Sequence, residues 1–404
     1  MIEIVLSTGQ ANPPKVEYAA QPFRPGHKSV REIAPVASPD YVRVLGSPAQ
    51  NSRTSASPRS GAWHARWESP IPSASSAILM AGNRIVAQRG GGWTLFDLGG
   101  KQIAAGLCGR SVLTLDPSAG FFMAVAGGNF LEAIGLDKGD VRFKVPLGYN
   151  ESFAWPLLLR FGKRIVAAGF EQRMLSPHGE SPARSLFQVI EVGSPLKLNP
   201  YKMLLSVNLQ QDLIFKESNM VPVASGEILW AAMPNLLIRT SAAQTIDGAW
   251  SDSFQPVAAA ADEAGWLYLI VTTDRGRELW IVTPDGQRQV RKPLPPPYAE
   301  SKIPPAIGYD HRVFLRTSQS VAAFSPEGDR LWEAQIPGSI AGLSVTPDGR
   351  LIVAAGAAIY QVDGNGKTLP LAPLSAPATT APVVTPSGEI LVGTETGVLC
   401  LEGR

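Results

Sequence analysis

The residues from which metal sites and disulfide frameworks are built are scarce in this chain. Its 404 residues include two cysteines, Cys108 and Cys400, and four histidines. None of them forms the C-x-x-C, H-x-H or H-E-x-x-H spacings that bring ligands together. Because a free cysteine behaves as a small core hydrophobe, we expect two buried thiols. The composition excludes a disulfide scaffold, and we expect no metal site.

Motifs of nucleotide binding and of nucleophilic catalysis are absent as well. The sequence contains no G-x-x-x-x-G-K-[ST], no G-x-G-x-x-G and no G-x-S-x-G. Gly90-Gly91-Gly92 lies between two apolar runs and predicts a hairpin turn. Asp262 and Asp363 lie in predicted turns, where aspartate commonly bonds its own backbone. We therefore expect no catalytic residue and no cofactor.

Charge of one sign and long apolar runs are also lacking. The formal net charge is +2, which gives no concentrated basic field for nucleic acid or an anionic membrane. No apolar run approaches the roughly 20 residues that span a bilayer. The N-terminus has neither the basic region nor the long apolar region of a secretory signal. We expect a soluble, cytoplasmic protein, or a periplasmic or extracellular one if a signal has been removed.

What the chain does contain is a repeat, seen complete in residues 331–370. An apolar run ends in Thr346-Pro347-Asp348-Gly349, a second run follows, and a third ends in a turn at Asp363. Turn residues between short β-branched and aromatic runs predict antiparallel hairpins. The turn and the strand after it recur eight times, beginning at Gly82, Ala119, Gly162, Ser225, Ala264, Asp310, Asp348 and Ser387.

The spacing of these copies predicts the fold class. Thr346 and Thr385 lie 39 residues apart, and so do Gly226 and Gly265. A period of roughly 40 residues with four short strands is typical of a β-propeller blade. We expect an all-β, eight-bladed β-propeller, with seven blades as the alternative count.

The ring is expected to close through a strand from the other end of the chain. The last unit has only three recognisable strands before the chain ends. Trp67-Glu68 matches Trp332-Glu333 of the complete repeat but has no preceding strands of its own. Adding this spare strand to the last unit would remove the exposed edges of an open sheet.

Outside the regular repeat lie two segments that are candidates for partner binding. Residues 1–61 form a mildly basic arm rich in Pro and Ser, extended or disordered, ahead of the propeller domain at residues 62–404. The third unit is longer than the others by an insertion within residues 170–219. The arm is either a flexible tail or a segment that adds strands to an exposed edge. The candidate contact residues in the arm are Tyr18, Phe23, Arg24, Lys28, Arg31, Tyr41 and Arg43.

The third-strand turns resemble those of the quinoprotein-type, or PQQ-like, propeller repeat. The matching segments are TLFDLGGKQIA from Thr94, AIGLDKGDVRF from Ala133 and AFSPEGDRLW from Ala323. The resemblance covers about residues 63–404 and implies the fold, while members of that superfamily serve many functions. The chain lacks the adjacent cysteine pair found in many quinone-dependent dehydrogenases of the superfamily. Its length is similar to that of the eight-bladed outer-membrane assembly lipoproteins, so we expect the non-enzymatic branch.

These observations favour a non-catalytic protein-interaction scaffold, in which the arm and the insertion contact partner subunits of a larger assembly. Two alternatives stay open. One is an enzyme, a lyase, hydrolase or quinone-dependent oxidoreductase, with residues from several blades gathered at the central channel. The other is a propeller that binds a small ligand or a glycan, for which exposed aromatic residues such as Trp93, Trp230 or Trp266 near one rim are expected.

Overall fold

The structure, a computed structural model, describes strands at residues 2–5, 15–18 and 21–22 and most of residues 54–403. Its regular elements in these ranges are β-strands and one 3-10 turn, Tyr298–Glu300. The described residues contain no helix able to span a bilayer. Within 54–403 the description omits residues 55, 72–74, 82, 90, 109–113, 117–119, 127–129, 147–152, 162–163, 172–184, 193–197, 202–205, 208–219, 223–227, 234, 242–245, 263 and 287–288.

Eight four-stranded units follow one another along the described chain, here called sheets 1 to 8 in chain order. The strands before sheet 1 are β1 (Ile2–Val5), β2 (Lys15–Tyr18), β3 (Gln21–Pro22) and β4 (Trp63–Pro70). Sheet 1 contains β5 (Ser75–Ala81), β6 (Arg84–Arg89), β7 (Gly92–Asp97) and β8 (Gln102–Leu107). Sheet 2 contains β9 (Thr114–Asp116), β10 (Phe121–Ala126), β11 (Phe130–Gly135) and β12 (Val141–Pro146). Sheet 3 contains β13 (Phe153–Phe161), β14 (Arg164–Glu171), β15 (Ser185–Val192) and β16 (Leu198–Tyr201), and β17 (Ser206–Val207) follows it.

The remaining sheets continue the same antiparallel order. Sheet 4 contains β18 (Met220–Pro222), β19 (Ile228–Met233), β20 (Leu236–Ser241) and β21 (Ile246–Ser251). Sheet 5 contains β22 (Gln255–Ala261), β23 (Leu267–Thr273), β24 (Gly276–Val282) and β25 (Gln289–Pro293). Sheet 6 contains β26 (Ala306–Ile307), β27 (Val313–Arg316), β28 (Ser320–Phe324) and β29 (Arg330–Gln335). Sheet 7 contains β30 (Ile340–Val345), β31 (Leu351–Ala355), β32 (Ala358–Val362) and β33 (Thr368–Pro373). Sheet 8 contains β34 (Val383–Val384), β35 (Ile390–Gly393) and β36 (Gly397–Gly403) together with β4.

The sheets are arranged radially. In each of sheets 1 to 6 the first strand contacts the first strand of the next sheet. The first strand of sheet 8, β34, contacts the first strand of sheet 1, β5. Sheets 7 and 8 share a hydrophobic cluster. First strands therefore line the centre and fourth strands, here called outer strands, lie at the rim. We call the face with the turns from first to second and from third to outer strands the lower face, and the opposite one the upper face.

The hydrophobic core lies between the flat faces of neighbouring sheets. Middle strands are apolar on both faces, as in β31, where all five residues are buried. One cluster joins sheets 5 and 6, another sheets 6 and 7, and a third sheets 8 and 1. Because each sheet is covered on both sides, its middle strands show unbroken apolar runs instead of alternation.

Strand β4 closes the ring as the sequence predicts. It pairs antiparallel with β36 from Gly397 opposite Pro70 to Gly403 opposite Trp63. The spare strand matched by Trp67-Glu68 thus supplies the outer strand of sheet 8. This confirms the predicted closure by an N-terminal strand.

Neighbouring sheets meet near the rim through a glycine in the turn from third to outer strand. Gly100 and Gly366 have φ of 81° and 86°, a region that disfavours side chains. Trp67 and Trp332 of the preceding outer strands cover them and donate Nε1–H to Leu98 O and Gly364 O, both at 2.9 Å. We call this glycine, with the group that covers it, a seam.

Strands of the arm pair with one another and with strands later in the chain. Strand β1 pairs with β2 and with β17, both antiparallel. Strand β3 pairs in parallel with β21, which makes sheet 4 five-stranded. Much of the predicted insertion at 170–219 lies outside the described residues.

Candidate functional site

The predicted contact residues lie largely beyond the part of the chain that the structure describes. Tyr18 is the last residue of β2 and pairs with Ile2 of β1. The other six, Phe23, Arg24, Lys28, Arg31, Tyr41 and Arg43, fall outside the described residues. The proposed role of these side chains therefore stays a prediction.

The root of the arm, residues 54–59, is fixed to the lower face. Thr54 is 1% exposed, and its backbone N–H donates to Val345 O at 2.8 Å. Its hydroxyl lies 3.4 Å from Val384 O, and its own carbonyl accepts from the Tyr309 hydroxyl at 3.0 Å. A single arm residue thus bonds to sheets 6, 7 and 8.

These bonds lie on the central side of the sheets. Thr346 N donates to Arg350 O, so the preceding residue of β30, Val345, directs its carbonyl away from its own hairpin. The same pattern at Thr385 and Glu389 directs the carbonyl of Val384 away from β35. Since β30 and β34 are first strands, Thr54 occupies the lower mouth of the ring.

The next residues extend outward over the turns of sheets 7 and 8. The Ser57 hydroxyl donates to Asp348 Oδ1 at 3.1 Å. Arg59 donates its backbone N–H to Gly388 O at 3.1 Å and its Nε–H to Ser387 O at 2.7 Å. Its Nη1 forms an ion pair with Glu402 at 3.2 Å. The root is therefore held through both backbone and side-chain atoms.

The Asp348 carboxylate links this root to the turn of sheet 7. Burial raises its pKa, but hydrogen bonds from Arg350, Thr346 and Ser57 outweigh burial and hold the pKa below its usual value. Asp348 is therefore a charged acceptor for the arm near neutral pH.

A buried carboxylate, imidazole and phenol form a second polar group on the lower face. Asp262 Oδ2 lies 2.8 Å from His311 Nδ1 and 3.1 Å from the Tyr268 hydroxyl, which donates to it. Asp262 Oδ1 accepts the Trp266 backbone N–H at 3.0 Å. The Asp262 side chain is 1% exposed and that of His311 11%. We call this set the Asp–His–Tyr cluster.

The cluster sets the chemistry of the imidazole. An ionised carboxylate only accepts hydrogen bonds, so His311 carries its proton on Nδ1 and, when neutral, leaves Nε2 as an acceptor. His311 adopts φ of 62°, a region in which histidine is enriched among non-glycine residues. Two residues before it, Tyr309 bonds the arm at Thr54. The arrangement can accept a proton at Nε2, and it ties sheet 5 to sheet 6.

The sequence pattern does not predict this cluster. Asp262 lies in the predicted turn and its carboxylate accepts a backbone N–H there, but no local signal links it to His311. The available signal was that Asp262 and His311 occupy the same turn, from first to second strand, in consecutive repeats. Neighbouring blades bring such turns together.

Glu389 is a further buried carboxylate, 3% exposed, and it serves the closure. Arg66 of β4 forms an ion pair with it, and Ser387 and Thr385 donate hydroxyl hydrogen bonds. Removing one partner of a buried ion pair leaves an uncompensated charge. This contact therefore holds β4 to the first-to-second-strand turn of sheet 8.

The two thiols are buried and free, as the sequence predicts. Burial raises the pKa of Cys108 to about 11 and that of Cys400 to about 12, and nearby Arg89 and Glu389 shift these values less. Both side chains are therefore protonated thiols at neutral pH. In the described ranges no three His, Cys, Asp or Glu residues form a group able to hold a metal ion.

Comparisons with known proteins support the fold class. No protein-family model matches the chain, and no curated protein is found as a sequence relative. The structure of BamB from Moraxella catarrhalis is similar, with a TM-score of 0.56 and 13% identity, over 84% of this chain and 99% of that one. A streptogramin B lyase structure matches with a TM-score of 0.45 and 10% identity, over 85% and 98%. The chain is a β-propeller, and at 13% identity the likeness to BamB shows the fold alone.

Proposed function

We propose that this protein is a non-catalytic scaffold, an eight-bladed propeller whose N-terminal arm and third-sheet insertion bind other proteins of an assembly. The observation that carries the proposal is the fixed root of the arm. Residues 54–59 are held across sheets 6, 7 and 8 by hydrogen bonds and an ion pair. A root fixed in this way tethers the arm to the propeller, so a protein that binds the arm is linked to the ring.

The composition of the arm indicates the chemistry of the partner. Residues 1–61 carry more Lys and Arg than Asp and Glu, with tyrosine and phenylalanine among them. Arginine and aromatic side chains are enriched among residues that dominate binding energy at interfaces. The proposed partner therefore presents carboxylates together with apolar surface.

Charge reversal in the arm tests this proposal without removing its strands. Changing Arg24, Lys28, Arg31 and Arg43 to Glu is expected to remove the proteins that copurify with the chain from its native cells, as measured by mass spectrometry. The matched control reverses four exposed lysines elsewhere, Lys101, Lys138, Lys302 and Lys367. An unchanged set of copurifying proteins in the arm variant would contradict the proposal.

The Asp–His–Tyr cluster favours a second candidate function, an enzyme such as a hydrolase or lyase. Asp262 holds His311 in the orientation that leaves Nε2 free to accept a proton, which is the task of a general base. A panel of esters, lactones and glycosides tests it. Turnover by the wild type that is lost in His311→Gln but kept in His64→Gln would support an enzyme. No turnover of the panel by the wild type would count against it.

A further inference from the structure

Three buried polar side-chain atoms that lack a hydrogen bond lie together on the upper face, between sheets 8 and 1. Such atoms are rare in folded proteins, and each one needs an explanation. The described residues contain five of them, and the three are Ser75 Oγ, Arg89 Nε and Thr379 Oγ1. Ser75 is only 1% exposed. Their grouping at one place suggests a common cause.

The strand pairing and one glycine bring the three residues together. Ser75 is the first residue of β5 and pairs with Arg89, the last residue of β6. Paired residues of an antiparallel ladder direct their side chains to the same side of the sheet. Ser75 Cβ lies 2.7 Å from the position that a Cβ on Gly393 of sheet 8 would take. Thr379 donates its backbone N–H to Gly393 O at 2.8 Å, so the three residues are neighbours.

Arg89 occupies a position that other sheets fill with apolar residues. In β6, Ile85 and Ala87 belong to the hydrophobic cluster between sheets 8 and 1, and Arg89 follows two residues later on the same side. The corresponding residues of sheets 5 and 7 are Val271 and Ala355, both buried in hydrophobic clusters. Because a partly buried charge costs solvation free energy, packing alone does not explain this arginine.

The charge of Arg89 has no counter-charge in the described part of the chain. No ion pair or hydrogen bond of its guanidinium is found there. Other arginines, such as Arg66 and Arg291, form ion pairs with carboxylates. Burial raises the pKa of the Cys108 thiol, and the Arg89 charge lowers it to a smaller extent. The surroundings of Arg89 therefore carry a positive potential that no neighbouring carboxylate offsets.

The three groups define the chemistry of a ligand. A guanidinium offers only N–H donors, and each hydroxyl can donate as well. A ligand that satisfies them has negative charge and several acceptor oxygens, as a carboxylate or a phosphate group does.

Stacking on an aromatic ring is a different mode of ligand binding, and the indoles expected to provide it are not available. Trp93, Trp230 and Trp266 are 4%, 0% and 8% exposed. They offer no open aromatic surface to a sugar or a flat ligand, so the expectation of exposed aromatic residues at these positions is wrong. Recognition at this place depends on hydrogen-bond donors and charge.

We propose that Arg89, Ser75 and Thr379 form a binding site for an oxyanion, the carboxylate or phosphate group of a small ligand, on the upper face between sheets 8 and 1. Arg89 supplies the charge, and the two hydroxyls supply directed donors. Since Arg89 is only partly buried, an ion reaches its guanidinium from the upper face. This site goes beyond the proposed scaffold function and uses no residue of the arm.

The test measures the binding of inorganic phosphate and of acetate to the full chain by isothermal titration calorimetry, at an ionic strength kept constant with chloride. Arg89→Met removes the charge, and Ser75→Ala removes a hydroxyl that forms no hydrogen bond within the chain. The matched control is Arg277→Met. Arg277 of sheet 5 also has a buried Nη1 without a partner, but no other atom of this kind lies in the described parts of sheets 4 to 6.

We expect the wild type and Arg277→Met to bind at least one of the two anions with equal affinity. Arg89→Met is expected to bind it at least tenfold more weakly, and Ser75→Ala about threefold more weakly. The bound anion should also raise the unfolding midpoint of the wild type but not that of Arg89→Met. If Arg89→Met fails to fold, Arg89→Gln takes its place with the same expected loss.

The two anions distinguish the possible sources of the oxyanion. Binding of phosphate alone would assign a phosphate ligand, and binding of acetate alone a carboxylate ligand. No binding of either anion by the wild type would overturn the proposal. Equal binding by Arg89→Met would indicate an adventitious ion only, and a loss of binding in Arg277→Met with retention in Arg89→Met would place the site elsewhere. Both of these outcomes also overturn the proposal.

Discussion

The seam between sheets 1 and 2 and the seam between sheets 6 and 7 both contain an indole ring, but they take it from different strands. At the second seam, Trp332 of outer strand β29 covers Gly366. The corresponding residue of β8 is Ala104, and it packs on Gly139. Trp93 of third strand β7 approaches the same glycine and stacks edge-on against Phe122 of sheet 2 at 5.1 Å.

The two seams therefore share an indole ring that fills the space beside the seam glycine, but not a tryptophan at one position of the repeat. Trp250 of β21 gives a third version, since it covers both Gly248 of its own strand and Gly286 of sheet 5. A search for the repeat motif by the position of tryptophan finds only Trp67 and Trp332.

Replacing Trp93 by Ala is expected to have the largest effect. Trp93 is 4% exposed and fills the space between Gly106 and Gly139, so its loss leaves a cavity. We expect a loss of about 4 kcal/mol in the free energy of unfolding, against about 3 kcal/mol for Trp332→Ala, whose side chain is only partly buried. Urea unfolding measures both. An effect of Trp93→Ala below 1 kcal/mol would show that the first seam does not depend on the indole.

Adding a methyl group to the seam glycine tests the close approach directly. Gly366→Ala places a Cβ at about 2.9 Å from the Trp332 ring and at a φ of 86°. We expect a loss of about 2 kcal/mol in unfolding free energy from strain and overpacking. In the Trp332→Ala background the cost of Gly366→Ala should fall by about half, since only the backbone strain remains. A full, additive cost in the double variant would refute the proposed contact.

Replacing Trp332 by Phe separates the hydrogen bond from the ring. The change keeps an aromatic group but removes the Nε1–H donated to Gly364 O. That carbonyl still accepts from Arg312 Nη1 at 3.1 Å, so it is not left without a partner. We expect a loss of about 1 kcal/mol in unfolding free energy. A loss as large as that of Trp332→Ala would mean that the hydrogen bond, and not the ring volume, maintains the seam.

The smallest effect is expected from acid. The Asp363 carboxylate accepts the backbone N–H groups of Lys367 and Asn365, and these bonds lower its pKa. A carboxyl with a pKa lower in the folded than in the unfolded state stabilises the fold above its unfolded pKa of about 3.9. That contribution is lost as the pH falls through the lowered folded value. Asp363→Asn should therefore lose less stability than the wild type between pH 5 and pH 2. Equal acid sensitivity would contradict this.

The parts of the fold that the sequence predicts are those with local signals. Thr346-Pro347-Asp348-Gly349 marks the turn between β30 and β31 because those residues suit a tight turn wherever they occur. The likeness of Trp67-Glu68 to Trp332-Glu333 identified the closing strand because both occupy the same place in a repeat. The signals beginning at Ala264, Asp310 and Ser387 mark the turns between the first and second strands of sheets 5, 6 and 8 for the same reason.

The parts that the sequence does not predict depend on contacts between distant segments. Thr54 bonds through its backbone, which no side-chain pattern records. Asp262 and His311 meet only because two turns of adjacent sheets approach each other. Each needs the relative placement of sheets, which hydrophobic spacing alone does not encode.

The pairing of β4 with β36 determines when the ring can close during protein synthesis. Some 330 residues separate Trp67 from Cys400 across this ladder. At ribosomal rates of about 5–20 residues per second, β4 waits on the order of 20–60 s for its partner. Sheets 1 to 7 can form as they emerge, but sheet 8 needs β36. During that interval the ring is open at β4, whose unpaired backbone edge is available to other strands.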